Sequence, residues 1–338
     1  MENNSKISNI YIYFIMIYYN LSFTSISYSS NIMKDFTKSA WMIPLFWIIP
    51  LLILIFFYKS KNNFDSLKNN TFFKILLLIN SLIHNIVLIY ISSHMMGISF
   101  YHLTPVSLFA ITTLIITCFL SFLDIKKILR LAFILITGLI WFIPFIFDFE
   151  FNNNFQMELL DNININFLKG YYFTTVCLDL FLYTLYNKEY KKPISKKGLT
   201  VVFLIILICA SLQIIDSYTL VNYRYYEGID MPSLNRYFSH QGKRFFEHFD
   251  ILLLFLTLTT TFYKVSFNTI LVKETFDKAY QNKFIFFYFL TLTPLVFYLI
   301  LNYKHLDLLL LTLFFTTALI SIIIIIYSRW EKFKCIKK

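Results

Sequence analysis

Leu21–Asn31, LSFTSISYSSN, is the stretch on which the reading of this chain turns. Upstream of it, Ile7–Tyr19 is almost wholly apolar, and then Ser22, Thr24, Ser25, Ser27, Ser29 and Ser30 follow in quick succession. A segment that crosses lipid must satisfy its own backbone hydrogen bonds, and irregular backbone survives at that depth only against protein or a cavity. The hydroxyl run therefore reads as a helix that weakens or unwinds part way across, the device by which discontinuous helices present substrate sites. The alternative is a continuous helix with a serine-rich packing face, its hydroxyls bonded back to their own helix.

The rest of the chain supplies the membrane. Of its 338 residues, 58% are hydrophobic and 14% are charged. Long apolar runs recur from end to end, which excludes a soluble domain and predicts a polytopic membrane protein. Ten apolar segments run over roughly 8–29, 41–58, 72–96, 104–122, 130–147, 169–186, 199–222, 248–270, 284–301 and 308–327. Each is near the ~20 residues a spanning helix needs. The expected fold is all-α, one integral membrane domain over 1–338 with ten transmembrane helices. Met1–Lys6 is polar with one lysine, the apolar run after it is too long for a signal-peptide core, and no removable leader is expected. Cys118, Cys177, Cys209 and Cys335 have neither metal-ligand nor disulfide spacing.

The net charge of +11 carries topology rather than nucleic-acid binding. With the N-terminus inside, twenty-one of the 30 basic residues fall on inner connections, eight fall outside and Lys264 lies within a segment. That asymmetry obeys the positive-inside rule and predicts both termini in the cytoplasm. Anionic inner-leaflet lipid attracts the same residues.

Polar residues inside the segments mark candidate sites. Segment 3 carries His84 with Asn80, Ser81 and Asn85 within about a turn. The histidine reads either as a buried, hydrogen-bonded side chain or as part of a proton or ligand path. Segment 6 carries Tyr172, Thr174, Thr175 and Asp179, and a carboxylate at that depth faces protein or water because lipid exposure is costly. Segment 8 opens with Glu247, His248 and Asp250 at its outer head and holds Lys264 further in. The six histidines are scattered, so no metal set, acid–base pair or other enzyme constellation is expected, and no cofactor. Ten helices divide into five plus five. Segments 1 and 6, which hold the polar interruptions, then take equivalent places in two inverted halves, the pattern of a LeuT-type fold.

The order of features resembles the B subunit of spore nutrient germinant receptors, the endospore germination permeases of the amino acid–polyamine–organocation superfamily. The resemblance covers nearly the whole chain. It is strongest from Pro232-Ser233-Leu234 to Phe245-Phe246-Glu247-His248-Phe249-Asp250 and the apolar helix that follows. The family has a Pro-Ser/Thr start there and a Glu-Arg-Phe-Glu-like turn, with His248 in place of the arginine. Thr104-Pro105 and Leu123-Asp124 also look familial. Counting back from Ala40-Trp41, Ser22 and Thr24 stand where the family has glycines, and Ser29 stands on its proline. Glycine lets backbone approach a ligand closely, so its loss favours a continuous helix in segment 1. In segment 6 the family's Gly-x-Glu falls on Cys177-Leu178-Asp179, and an Arg-Pro motif expected before that segment is absent.

The resemblance implies a nutrient sensor in the inner membrane of the spore, without catalysis. A small nutrient such as an amino acid would bind between segments 1, 3, 6 and 8, with Ser22, Thr24, Ser25, Tyr172, Thr174, Thr175 and Asp179 as the expected ligand-binding residues. Asp179 is also open to a structural pairing with Lys264 or His84. A-type and C-type receptor subunits are the implied partners. Glu247, His248 and Asp250 would form a polar turn at a partner interface, or simply a helix start with acids near its positive end. The rival reading is a proton- or sodium-coupled amino acid permease, with His84, Asp179 and Lys264 as coupling candidates.

Overall fold

The computed structural model describes residues 6–27, 48, 51–52, 70–97, 104–139, 180–219, 249–302 and 306–336. Among these the chain is helical, without strands apart from one isolated bridge between Ile7 and Tyr190. The helices are α1 (Asn9–Ser27), α2 (Thr71–Met95), α3 (Val106–Ser121), α4 (Ile125–Leu139), α5 (Leu180–Tyr183), α6 (Lys196–Thr219), α7 (Phe249–Lys273), α8 (Lys278–Leu301) and α9 (Leu306–Ile336). A 3-10 turn, Thr184–Glu189, continues α5. Among the described residues two helices, over Thr71–His94 and Lys278–Leu301, are long and apolar enough to cross a bilayer.

Most helix ends have a local cause. Asn70 caps α2, its side chain accepting from the Phe73 amide at 3.2 Å. Ser195 caps α6, its hydroxyl accepting from the Gly198 amide at 2.9 Å. At the other end of α3, Lys273 Nζ donates to the carbonyls of Ser121 and Leu123 at 2.9 and 2.8 Å, a cation placed on the negative end of a helix. Several ends move from their expected places. α4 starts at Ile125, so Lys126, Lys127 and Arg130 sit in its first turns rather than in a link. Its inward stripe, Ile128, Leu129, Ala132 and Ile136, is buried, and that periodicity starts the helix early. α9 runs on through Arg329, Lys332 and Lys334 instead of stopping at 327.

The expected interruption of segment 1 is corrected over the described residues. α1 is one unbroken helix that carries Ser22, Thr24 and Ser25 and continues to Ser27. It contains neither glycine nor proline, so nothing forces its backbone out of the helical wells. Ser29 and Ser30 lie outside the described residues. Irregular backbone occurs instead at the end of segment 6, where the chain tightens into the 3-10 turn with Tyr186 at φ −96° and ψ 20°.

α7 lies at the centre and packs against α1, α2, α3, α4 and α8. α2 joins α3, α7, α8 and α9. The head of α1 is pinned to the segment before α6. Ile7 exchanges backbone hydrogen bonds with Glu189 and Lys191 at 3.0 and 2.9 Å. Asn9 accepts from the Lys192 amide at 3.0 Å, and the Ser195 amide donates to the Tyr13 hydroxyl at 3.2 Å. Gly198 permits this contact, because a Cβ there would overlap the Tyr13 ring.

Candidate ligand site in the helix core

Two polar groupings and one charged one stand out. The first is a contact between α1 and α7. Lys264 Nζ donates to Asn20 Oδ1 at 3.1 Å, with both residues buried. The Asn20 amide is oriented from its other end, where Nδ2 donates to the Met16 carbonyl at 2.7 Å within α1. His84 of α2 is buried and interacts electrostatically with Lys264. One turn before Lys264 on α7, Thr260 is buried and its hydroxyl has no hydrogen-bond partner. Aromatic rings wall this region. Tyr19 stacks on Tyr263 with centroids 4.0 Å apart, and Tyr183 of α5 stacks on Phe267 at 4.7 Å. Lys264 stands fifteen residues from the start of α7 and nine from its end. At 1.5 Å per residue that is about 22 Å and about 14 Å, well inside a span.

The second grouping clasps α2 to α7, α8 and α9. Asn80 Oδ1 accepts from Thr317 and Thr316 at 2.8 and 2.9 Å. Ser81 and Tyr288 share a hydrogen bond of 2.8 Å. Asn85 Nδ2 faces the Tyr288 hydroxyl at 2.9 Å, Thr269 Oγ1 at 3.1 Å and the Val265 carbonyl at 3.3 Å. Its Oδ1 accepts from Asn268 at 3.3 Å. Each amide is fitted with several partners, which is what buried amides require.

The charged grouping lies where the chain before α1, the α3–α4 turn, the segment after α5 and the end of α7 meet. Lys126 pairs with Glu189 at 2.7 Å. Glu274, just past α7, is held up to about pH 7, first by burial, then by the negative charges of Glu189 and Asp124, against the opposing pull of Lys273 and a hydrogen bond from Tyr186. Burial pulls Lys273 below the usual lysine range, while Glu274 and Asp124 act the other way.

The sites expected from sequence are distributed unevenly. Lys264 and His84 come together, and Asn80, Ser81 and Asn85 share one network. Ser22, Thr24, Ser25 and Asp250 are described as helical backbone. Tyr172, Thr174, Thr175, Asp179, Glu247 and His248 lie outside the described residues. Sequence reasoning missed Asn20, Tyr288, Asn268 and Glu274. Asn20 had a signal, because it is the polar residue that ends the apolar run ahead of the hydroxyl stretch.

No protein-family model matches this chain, and no curated protein matches it. The assignment of a function rests on the residues alone.

Proposed function

We propose that the chain is the membrane subunit of a nutrient germinant receptor. Ten spans form two inverted sets of five with both termini in the cytoplasm, and a small nutrient such as an amino acid binds between segments 1, 3, 6 and 8. Its capture is passed to A-type and C-type subunits at the inner membrane of the spore and triggers germination. The observation that supports this most is the polar centre of Asn20, His84 and Lys264, contributed by segments 1, 3 and 8, with Tyr183 of segment 6 stacked close by. Ionisable groups at membrane depth are costly and mark ligand or ion pathways. The proposed topology also agrees with the charged grouping, since Ile7, Lys126, Glu189 and Lys273 all belong to connections assigned to the inside.

Deleting the gene in the spore-former that carries it tests this directly. Spores are expected to lose their response, followed as loss of refractility, to at least one amino acid or nucleoside and to regain it on complementation. Unchanged germination on every nutrient overturns the proposal. The permease reading is favoured by the nearness of Lys264 to His84, two titratable groups at membrane depth. Counterflow in proteoliposomes separates the two, since a sensor binds solute without exchanging it across the bilayer.

A further inference from the structure

We propose that Lys191, Lys192, Lys196 and Lys197 form a seat for the headgroups of anionic phospholipids, at the level where the heads of α1 and α6 meet. The inference needs only that the chain spans a bilayer, and it stands or falls separately from the receptor reading. Its first support is position. Asn9 at the head of α1 accepts from the Lys192 amide at 3.0 Å and donates from Nδ2 to the Lys192 carbonyl. One turn further in, Tyr13 meets Ser195 at the head of α6. Both helices carry exposed apolar side chains directly beyond this level, Ile10 and Phe14 on α1 and Val201 and Leu204 on α6. Side chains of that kind face acyl chains, so the boundary between lipid and water passes at the lysines.

The second support is that the lysines are held in place. The Lys191 amide donates to the Ile7 carbonyl at 2.9 Å. Pro193 fixes one backbone angle, Ile194 is fully buried and Ser195 caps α6. Lysines on a loose loop would serve topology equally well, since the positive-inside rule counts charges on a side and not their arrangement. Here the backbone sets both lysine pairs at one place.

The third support is charge. All four side chains are exposed, and among the described residues none of them is in an ion pair. The neighbouring Glu189 is taken by Lys126 at 2.7 Å, and Asp124 faces Lys127 at 3.7 Å. Lys196 and Lys197 stand in the first turn of α6, which holds no acid, and the positive end of a helix disfavours cations. The chain therefore gathers like charges and supplies nothing there to neutralise them. Lipid phosphates at the same level do so, and an anionic leaflet attracts each lysine near its surface. A soluble anion meets only the ammonium groups, whereas a phospholipid also covers the exposed apolar side chains of α1 and α6.

The test is amine-reactive labelling of the full chain, read lysine by lysine by mass spectrometry. The chain is reconstituted in nanodiscs of phosphatidylcholine, with and without phosphatidylglycerol. Phosphatidylglycerol is expected to slow the labelling of Lys191, Lys192, Lys196 and Lys197 at least about fivefold. Lys278 and Lys283, exposed at the head of α8 on the same side in the proposed topology, are expected to change far less. Glycerol phosphate added to phosphatidylcholine nanodiscs is expected to leave every rate unchanged. Equal slowing at Lys278 and Lys283 would reveal a general surface potential only, and no slowing at the four lysines would reveal no seat. Either result overturns the proposal, as does equal protection by glycerol phosphate, which would mark a soluble-anion site. The double variant Lys196→Gln, Lys197→Gln is expected to lose most of the protection at Lys191 and Lys192, and full protection there would show that the two pairs do not share a seat. Labelling of the unmodified chain decides the matter even where the variant does not fold.

Discussion

The α2 clasp and the α1–α7 contact are both buried polar groupings in the same helix bundle, yet they are built in opposite ways. In the clasp, Asn80, Ser81 and Asn85 are bonded to side chains of three other helices, and Asn85 alone meets four of them or their backbone. In the contact, the link described between the two helices is the Lys264 ammonium donating to the Asn20 amide oxygen. A network in which each member satisfies the next resists any single exchange, because removing one partner leaves several buried groups unpaired. The first arrangement ties α2 to three helices at several points, and the second joins one helix pair.

The sharpest way to break this contrast is to cut both. Asn85→Leu removes hydrogen bonds to Asn268, Thr269, Tyr288 and the Val265 carbonyl at once, although Thr269 keeps the Val265 carbonyl and Tyr288 keeps Ser81, at about 1–3 kcal/mol for each group left short. The variant is expected to lose several kcal/mol, read as a steep fall in melting temperature or loss of folded protein from detergent. Lys264→Met removes the hydrogen bond to Asn20 and keeps an apolar stem of similar length. Its cost is expected to be about 1–3 kcal/mol, below that of Asn85→Leu. If Lys264→Met proves the more damaging, the contact is structural and the contrast fails.

A smaller effect belongs to the charged end. The Glu274 carboxyl is held up to about pH 7, so the folded protein binds a proton there that the unfolded chain has already released above about pH 4.5. Stability should therefore fall as pH rises from about 4.5 to about 7. Glu274→Gln, neutral throughout, should flatten that part of the melting curve against pH. An identical profile in the variant would place the burial of Glu274 in error. The smallest change expected is from Gly198→Ala. The added Cβ pushes the Tyr13 ring off Ser195, while alanine favours the helix over glycine by about 1 kcal/mol. The two effects nearly cancel, and a melting temperature within a few degrees of wild type is expected, with ligand binding intact because the contact lies far from Lys264 along α1.

Much of the helical layout was legible because apolar length and periodicity are local properties. Segments 3, 7 and 9 correspond to α2, α6 and α8 with ends shifted by a few residues. The shifts have causes that length alone does not reveal. Lys126 and Lys127 look like a link, but lysine stems lie along apolar surface with their ammonium groups in water, and the helix takes them in. His84 and Lys264 were legible as candidates because an ionisable group in an apolar run is conspicuous. Their proximity was not, because the period shows which face a residue occupies and not which helix it meets. Asn80 finding Thr316 and Thr317, 236 and 237 residues away, is of the same kind. The serine run was read as a break because hydroxyls compete for backbone, yet without a glycine or proline that competition does not open α1 before Ser27.

The account turns on a nutrient bound beside the α1–α7 contact while the clasp stays closed, and hydrogen–deuterium exchange observes this directly. The measurement compares the full chain in nanodiscs with and without an amino acid that stabilises it. Amides of α1 from 13 to 27 are expected to change their exchange rates when the ligand is bound, while those of α2 from 76 to 92 keep theirs. Unchanged exchange along α1, or an equal change along α1 and α2 together, would contradict it.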